Sequence, residues 1–425
     1  MTTEAAAPEG RAGEVFRVTL GLGLTSFGGP VAHLGYFERA YVRERRWLSA
    51  EAYAGLVALC QMLPGPASSQ VGLLVGMRRA GWAGGLAAWA GFTLPSAIVL
   101  FAVARLGPRL QGPVLAAVLH GLQLVAVAVV AQAVWSMAQK LCPDRRRAGL
   151  ALAAAVLMLV TGSAGVQILA LLGGAAGGLL LCRGLPALPV PPSLAGGPSG
   201  GLSGAPSGAP STPRSVSLLA SGAALALFLV LLTGLPLLGR AAPHTLMDVA
   251  GIFYRAGALV FGGGHVVLPL LRDALVPDGW LSDSVFLAGY GATQAMPGPL
   301  FTFAAYLGAA MAPPGAPVLV AALWSAVALV FMFLPGVLIA LAGLPLWSWL
   351  ARHEAARAAL AGVNAAVVGV LGAALYDPIW TSAVLSGRDV AIALTGFLLL
   401  ERWRAPPLAV VGLCAGAALL SAGVP

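Results

Sequence analysis

Charge is what this sequence has least of. Only 9% of its 425 residues are Asp, Glu, Lys or Arg, where a soluble chain carries about a quarter, so a water-facing surface of ordinary size cannot be coated. Lysine is confined to Lys140, and no G-x-x-x-x-G-K-[ST] run exists to hold nucleotide phosphates, which excludes an ATP motor within the chain. The four cysteines, Cys60, Cys142, Cys182 and Cys414, are far apart and form no CxxC pair. They suggest apolar packing rather than a disulfide framework or a zinc site. No His/Glu metal motif and no G-x-S-x-G is present, so a membrane-embedded hydrolase is unsupported, and no cofactor or metal is expected. The net charge of +9 is spread between apolar runs rather than gathered on a solvated face, which argues against nucleic acid.

Apolar residues fill the space that charge leaves, at 59%. Runs near the roughly 20 residues that a helical span needs cover Val15–Phe37, Tyr53–Met77, Trp82–Leu106, Val114–Met137 and the pair Ala148–Val160 and Val166–Leu181. More follow at Leu218–Leu238, Met247–Leu271, Val285–Met311, Val318–Leu341, Ala355–Tyr376 and the pair Val390–Leu400 and Leu408–Leu420. The expected class is an all-α polytopic membrane protein. Residues 1–13 read as a polar tail without the pattern of a cleaved signal. Residues 183–217, of which 22 are Gly, Pro or Ser, read as a flexible linker.

The second half repeats the first. Phe27-Gly28-Gly29 returns as Phe261-Gly262-Gly263, Trp47-Leu48-Ser49 as Trp280-Leu281-Ser282, and Pro64-Gly65-Pro66 as Pro297-Gly298-Pro299, at offsets of 234, 233 and 233. Gln61 matches Gln294, and Pro95 matches Pro335. The domain is therefore read as duplicated: residues 14–182 and 239–425 are two copies, with 218–238 an unpaired helix between them. One extra span turns the second copy over if each copy crosses an even number of times. Charge supports that: corresponding loops carry ten basic residues in the first copy and two in the second, and cytoplasmic loops collect Lys and Arg. The expectation is two inverted-topology repeats.

The paired motifs carry the chemistry. Two prolines in three residues remove backbone donors and stop a helix, and glycine permits unusual backbone angles. Such breaks are tolerated in lipid only where they are buried in protein or line a polar cavity, and corresponding breaks in two halves point to a transporter's binding site. A hairpin bent at Pro64-Gly65-Pro66 would place the arginines before and after it on one side of the membrane; a kinked full span is the alternative. Val15–Phe37 would break likewise at Phe27-Gly28-Gly29-Pro30, unless those glycines serve close helix packing. Helices restarting after each Pro-Gly-Pro would present the N–H groups of Ala67, Ser68 and Ser69, and of Leu300, Phe301 and Thr302, to an anion. The candidate substrate-binding set is Gly28, Gly29, His33, Gln61, Gly65, Ala67, Ser68, Ser69, Gln70, Gly262, Gly263, Gly264, Gln294, Gly298, Leu300, Phe301 and Thr302, with Pro30, Pro64, Pro66, Pro297 and Pro299 as helix breakers. His265 is a further polar group near a break, and each of these side chains could instead bond a neighbouring helix. His33 could also carry a proton. Arg255, alone within an apolar run, either attracts anions, reaches an interface or pairs with Asp248. Gln123 and Asn364 read as interhelical hydrogen-bonders, and the Arg39–Arg46 cluster as a loop gripping headgroups.

At these residues the chain resembles the chromate ion transporter family in its long form with two fused halves. The resemblance rests on Phe27-Gly-Gly-Pro-Val-Ala-His-Leu34, Ala58-Leu-Cys-Gln-Met-Leu-Pro-Gly-Pro66 with Ser68 and Gln70, Phe261-Gly-Gly-Gly264 and Gln294-Ala-Met-Pro-Gly-Pro-Leu300. It implies a secondary transporter that exports chromate across the bacterial inner membrane and confers chromate resistance. Sulfate is a dianion of similar shape. The implied partners are chromate or sulfate, membrane lipid, a coupling proton or counter-ion, and a second copy in a homodimer. A transporter of another oxyanion and a passive anion channel remain the alternatives.

Overall fold

The computed structural model describes residues 10–27, 29–107, 112–161, 164–184, 218–241, 243–261 and 264–421. Most of the polar tail and of the linker, together with Gly28, Gly262 and Gly263, lie outside the described residues. The described residues form an all-helical polytopic bundle without strands, in which five helices are long and apolar enough to cross a membrane.

The first half runs α1 (Ala12–Thr25), α2 (Gly29–Phe37), α3 (Ala50–Met62), α4 (Ala67–Leu106), α5 (Pro113–Leu141), α6 (Arg145–Thr161) and α7 (Ala164–Leu181). After α8 (Leu218–Ala241) come α9 (Leu246–Ala258), α10 (Val267–Leu275), α11 (Asp283–Gln294), α12 (Phe303–Ala310), α13 (Val318–Arg352), α14 (Glu354–Ala374), the short α15 (Thr381–Ala383), α16 (Gly387–Glu401) and α17 (Pro407–Ser421). Helices are interrupted at both Gly-Gly motifs and both Pro-Gly-Pro motifs. Gly29 adopts φ +77° with open space around its missing Cβ, so its role there is the left-handed backbone rather than close packing. The serines of the two Trp-Leu-Ser motifs cap α3 and α11: Ser49 accepts from the Ala52 N–H and Ser282 from the Val285 N–H, each satisfying one orphan donor.

Two details depart from the sequence-based expectation, and a third accords with the gap it left between the runs ending at Met77 and starting at Trp82. The helix expected to end at Leu341 runs on to Arg352. Helix α2 continues into a π-helical stretch, Glu38–Glu44, whose wider turn brings side chains five apart together, as Arg39–Glu44 and Arg43–Glu38 ion pairs of 2.8 Å. Helix α4 is not a single rod. Ala80 and Gly81 leave the helical region, and Gly76 packs directly on Gly84, so the chain doubles back between Met77 and Trp82. A side chain at Gly76 or Gly84 would meet the other arm's carbonyl, which is why this hairpin needs glycine on both arms. The arm from Ala67 to the turn therefore reaches only part-way through a bilayer, at 1.5 Å per residue.

The ends of the half-helices sort by side. Arg79, at the end of that first arm, accepts the Gly10 N–H through its carbonyl, pairs with Glu14 of α1 at 3.3 Å and lies 5.5 Å from the Trp47 ring centroid. The start of α1, the loop before α3 and the α4 turn thus share one end of the bundle. In the second half Trp280 meets His244, before α9, and Trp324, early in α13, at 4.6 and 6.0 Å. Helix α13 starts at that end, passes Gly336 against Gly65, and reaches Gly343 against Leu63 and Leu59 of α3. Arg105, at the far end of α4, donates to the Ala316 carbonyl just before α13 at 3.0 Å.

Candidate functional site

Each Pro-Gly-Pro turn is fastened to the Gly-Gly break of the opposite half. The Gly65 N–H donates to the carbonyl of Val260, just before Phe261-Gly262-Gly263, at 2.8 Å, and the Gly298 N–H donates to the carbonyl of Ser26, just before Phe27-Gly28-Gly29, at 2.9 Å. Both glycines sit at positive φ, +110° and +94°, which a residue with a Cβ adopts only at a cost. Buried backbone donors must be paired, and here the partners come from the opposite half of the chain.

The first turn borders a narrow cleft lined by Pro66, Ser69, Gln70, Trp89, Phe333 and Gly336, among others. The Gln70 N–H donates to Pro66 O at 2.9 Å, so the N–H groups of Ala67, Ser68 and Ser69 stand ahead of the first helical bond, the usual orphan donors of a helix start. Ser68, Ser69 and Gln70 are all buried. The Ser69 hydroxyl and the Trp89 indole nitrogen have no hydrogen-bond partner. Both are donors. The side-chain nitrogen of Gln70 donates to Pro64 O and Gly336 O, each at 2.9 Å. Its amide donors are thereby spent on carbonyls, so Gln70 braces the turn against α13 rather than offering an N–H to an anion.

Helix α4 links this cleft to the second break. Trp89, Thr93 and Ser96 follow one another along a face of its second arm, at helical spacing. Thr93 is fully buried with an unpartnered hydroxyl, and Ser96 Oγ lies 3.0 Å from where a Cβ on Gly298 would sit. Ser26 Oγ is also buried and unpartnered. His33 packs edge-on against Phe92, with ring centroids 5.2 Å apart, and neither ring nitrogen has an aligned partner, although the Ser26 backbone lies beside it. Ordinarily the large majority of buried polar atoms are paired. Here unpaired ones from α2, α4 and the first Gly-Gly break gather in one region.

The second turn is built differently. Leu300–Thr302 form a 3-10 turn, with α12 starting only at Phe303. The Thr302 N–H donates to Pro299 O at 3.0 Å and its hydroxyl to the same carbonyl at 2.7 Å. Only Leu300 and Phe301 keep the free amides that the sequence-based expectation assigned to all three. Phe301 packs at a tilt against Phe333, and Phe303 packs among Phe286, Tyr290 and Tyr306. Gly264 is buried within its own 3-10 turn.

The remaining candidates divide. Gln294 keeps a buried, unpartnered side-chain nitrogen, whereas its counterpart Gln61 is exposed on α3. His265 is engaged, with Nδ1 2.7 Å from the Tyr290 hydroxyl. Asp248 accepts the His244 N–H at 3.1 Å and forms no ion pair with Arg255 among the described residues. Gln123 donates to the Ser284 carbonyl at 3.3 Å, the interhelical bond expected of it. Ser26, Trp89, Thr93 and Ser96 are not among the residues that the sequence motifs single out. Their signal was present: Ser26 abuts Phe-Gly-Gly-Pro, and Thr93 and Ser96 flank the Pro95 that fixes the repeat register.

The sequence model of the family described as chromate transporter matches residues 13–179 and 247–420. A chromate transport protein of Pseudomonas aeruginosa is 29% identical over 387 residues, covering 88% of this chain and 83% of that protein. A probable chromate transport protein of Synechococcus elongatus is 26% identical over 385 residues, 89% and 86% of the two chains. A chromate transport protein of Cupriavidus metallidurans is 26% identical over 385 residues, 90% and 84%. No solved structure matches the chain.

Proposed function

The chain belongs to the chromate transporter family, and from that premise we propose that it is a secondary transporter exporting chromate across a bacterial inner membrane, so that its host resists chromate. The observation that carries the mechanism is the reciprocal pair of bonds, Gly65 to Val260 and Gly298 to Ser26. They make each half's break a wall for the other's, and a relative movement of the halves must remake the site between them.

Opposite orientation of the halves is supported by the course of α13, which starts at the Trp280 end and finishes beside α3 of the other half. The arginine-rich end is then cytoplasmic. A tetrahedral dianion needs several donors. The amides of Ala67, Ser68 and Ser69, the Ser69 hydroxyl and the Trp89 indole offer them without a fixed cation, so the ion is held and still released. The water-accessible interior of the cleft is about 10 Å³, room for a single water. Loading chromate therefore requires α13 and α4 to part, as alternating access between repeats would do. An ion gradient or exchange drives the cycle, since the chain carries no nucleotide-binding loop, and His33, near the first Gly-Gly break, is our candidate for a coupling proton.

Sulfate shares chromate's charge and shape, and these donors do not by themselves distinguish the two. Chromate flux into inside-out vesicles, with and without a pH gradient and with excess sulfate, tests the reading. Chromate accumulation that sulfate suppresses only weakly supports it. Straightening the first break with Pro64→Ala and Pro66→Ala should abolish flux while the protein stays in the membrane; undiminished flux would remove the break from the mechanism.

A further inference from the structure

A basic recess lies away from the breaks, where α5 passes into α6 and α7 ends. It has a volume of about 360 Å³ and is lined by Asp144, Arg145, Arg146, Arg147, Leu181, Cys182 and Arg183, a size ordinary for a small-molecule pocket. Four guanidinium groups face one carboxylate. Part of this charge has work inside the protein. Arg147 Nε donates to Asp144 at 2.6 Å, Arg146 Nη1 to the Leu181 carbonyl at 3.0 Å and Arg183 Nε to the Leu179 carbonyl at 2.7 Å, the last two capping the negative end of α7. A guanidinium carries five N–H groups, so each of these uses a fraction of its capacity. Arg145 has no partner among the described residues and is exposed.

The surface beneath the recess is apolar and bare. On α6, Leu152, Val156 and Leu159 are 65, 50 and 50% exposed, and on α7 Leu180 is 76% exposed. These residues lie towards the membrane interior from the arginines, because α6 leaves the recess and α7 returns to it. A guanidinium-lined hollow directly above a lipid-facing stripe matches an amphiphile, with a phosphate at the polar end and chains at the other. A soluble anion would use the hollow and have no use for the stripe.

We propose that this recess binds the phosphate headgroup of an anionic phospholipid, with the acyl chains lying along α6 and α7. The donors are Arg145 and the unspent N–H groups of Arg146, Arg147 and Arg183. The bound lipid also bears on the junction of the halves: the Gly184 N–H, next to Arg183, donates to Glu354 at the start of α14 at 2.6 Å.

Native mass spectrometry of the purified full chain, titrated with phosphatidylglycerol and separately with phosphatidylethanolamine, tests the proposal. Wild type should retain phosphatidylglycerol preferentially. Arg145→Ala, which breaks no bond within the protein, should weaken retention about fivefold, and Arg145→Ala with Arg183→Ala roughly twenty- to thirtyfold. Arg402→Ala, an exposed basic residue outside the recess, should stay within about twofold of wild type. Equal retention of both lipids, equal loss in the Arg402 variant, or no loss in Arg145→Ala would overturn the proposal. So would displacement of the lipid by inorganic phosphate or chromate, which would assign the recess to a soluble anion.

Discussion

The two Pro-Gly-Pro turns share a sequence and a left-handed glycine, yet one borders a narrow, mainly apolar cleft that holds unused donors and the other is packed with aromatic rings. At the first, Gln70 stitches Pro64 to Gly336, and Ser69 and Trp89 keep unused donors. At the second, the residue in register with Gln70 is Phe303, fully buried among other rings, and Thr302 spends both its donors on Pro299. On the reading of the chain as two copies, equivalent breaks carry different side chains beside them. In the proposed transport cycle, the first break grips the dianion and the second serves as its rigid counterpart.

Glycine substitutions set the scale of that comparison. A methyl group at Gly65 would sit 2.9 Å from the Gly336 backbone, while at Gly298 it would meet the Ser96 hydroxyl at 3.0 Å and the Phe92 carbonyl at 3.1 Å. Both glycines thus face a backbone atom that cannot rotate aside, and both sit at positive φ, so either substitution displaces its turn. Gly65→Ala, beside the donors of the first break, should reduce chromate flux by about 100-fold, the scale of an ångström-sized misplacement at a working site. Gly298→Ala, away from those donors, should cost less, and vesicle flux at matched expression checks the order.

The next effect concerns donors. Ser69→Ala removes an unpartnered hydroxyl, and a hydrogen bond to a charged group is worth about 1.5–3 kcal/mol, so the apparent affinity for chromate should fall at least about tenfold. Thr302→Val should leave it within about twofold, because that hydroxyl already serves its own turn. Flux measured across chromate concentrations separates the two.

The location of both breaks was legible in the sequence, because Pro-Gly-Pro and Gly-Gly act through local backbone rules. The motifs that recur at nearly constant offset are the basis for reading the chain as two copies. What could not be read was the crossing of the pairs: nothing local says that Gly65 bonds to Val260 rather than to its own half's Ser26. The hairpin within α4 was half legible, as a gap between two apolar runs around Arg78 and Arg79. Gln61 and Gln294 looked equivalent in sequence. Burial separates them, because Gln61 is exposed on α3 while the side-chain nitrogen of Gln294 is buried. The 3-10 turn at Leu300–Thr302 had no signal beyond the proline before it, which is common to both copies.

Smaller effects sharpen the same contrast. Trp89→Phe keeps a ring but removes the indole N–H, and should lower apparent chromate affinity about fivefold or more. Gln294→Ala should have a modest effect on flux and Gln61→Ala none, since only Gln294 has a buried, unpartnered nitrogen. Equal losses at the two glutamines would mean that the exposed one also meets the ion during the cycle.

The most direct test is calorimetric titration of chromate into the purified protein, comparing Ser69→Ala with Trp89→Phe as a double variant against Thr302→Val. If the first break holds the dianion, the double variant loses most of its chromate affinity while Thr302→Val binds as wild type does. Wild-type affinity in the double variant, with binding lost in Thr302→Val, would place the dianion at the other break and contradict that assignment.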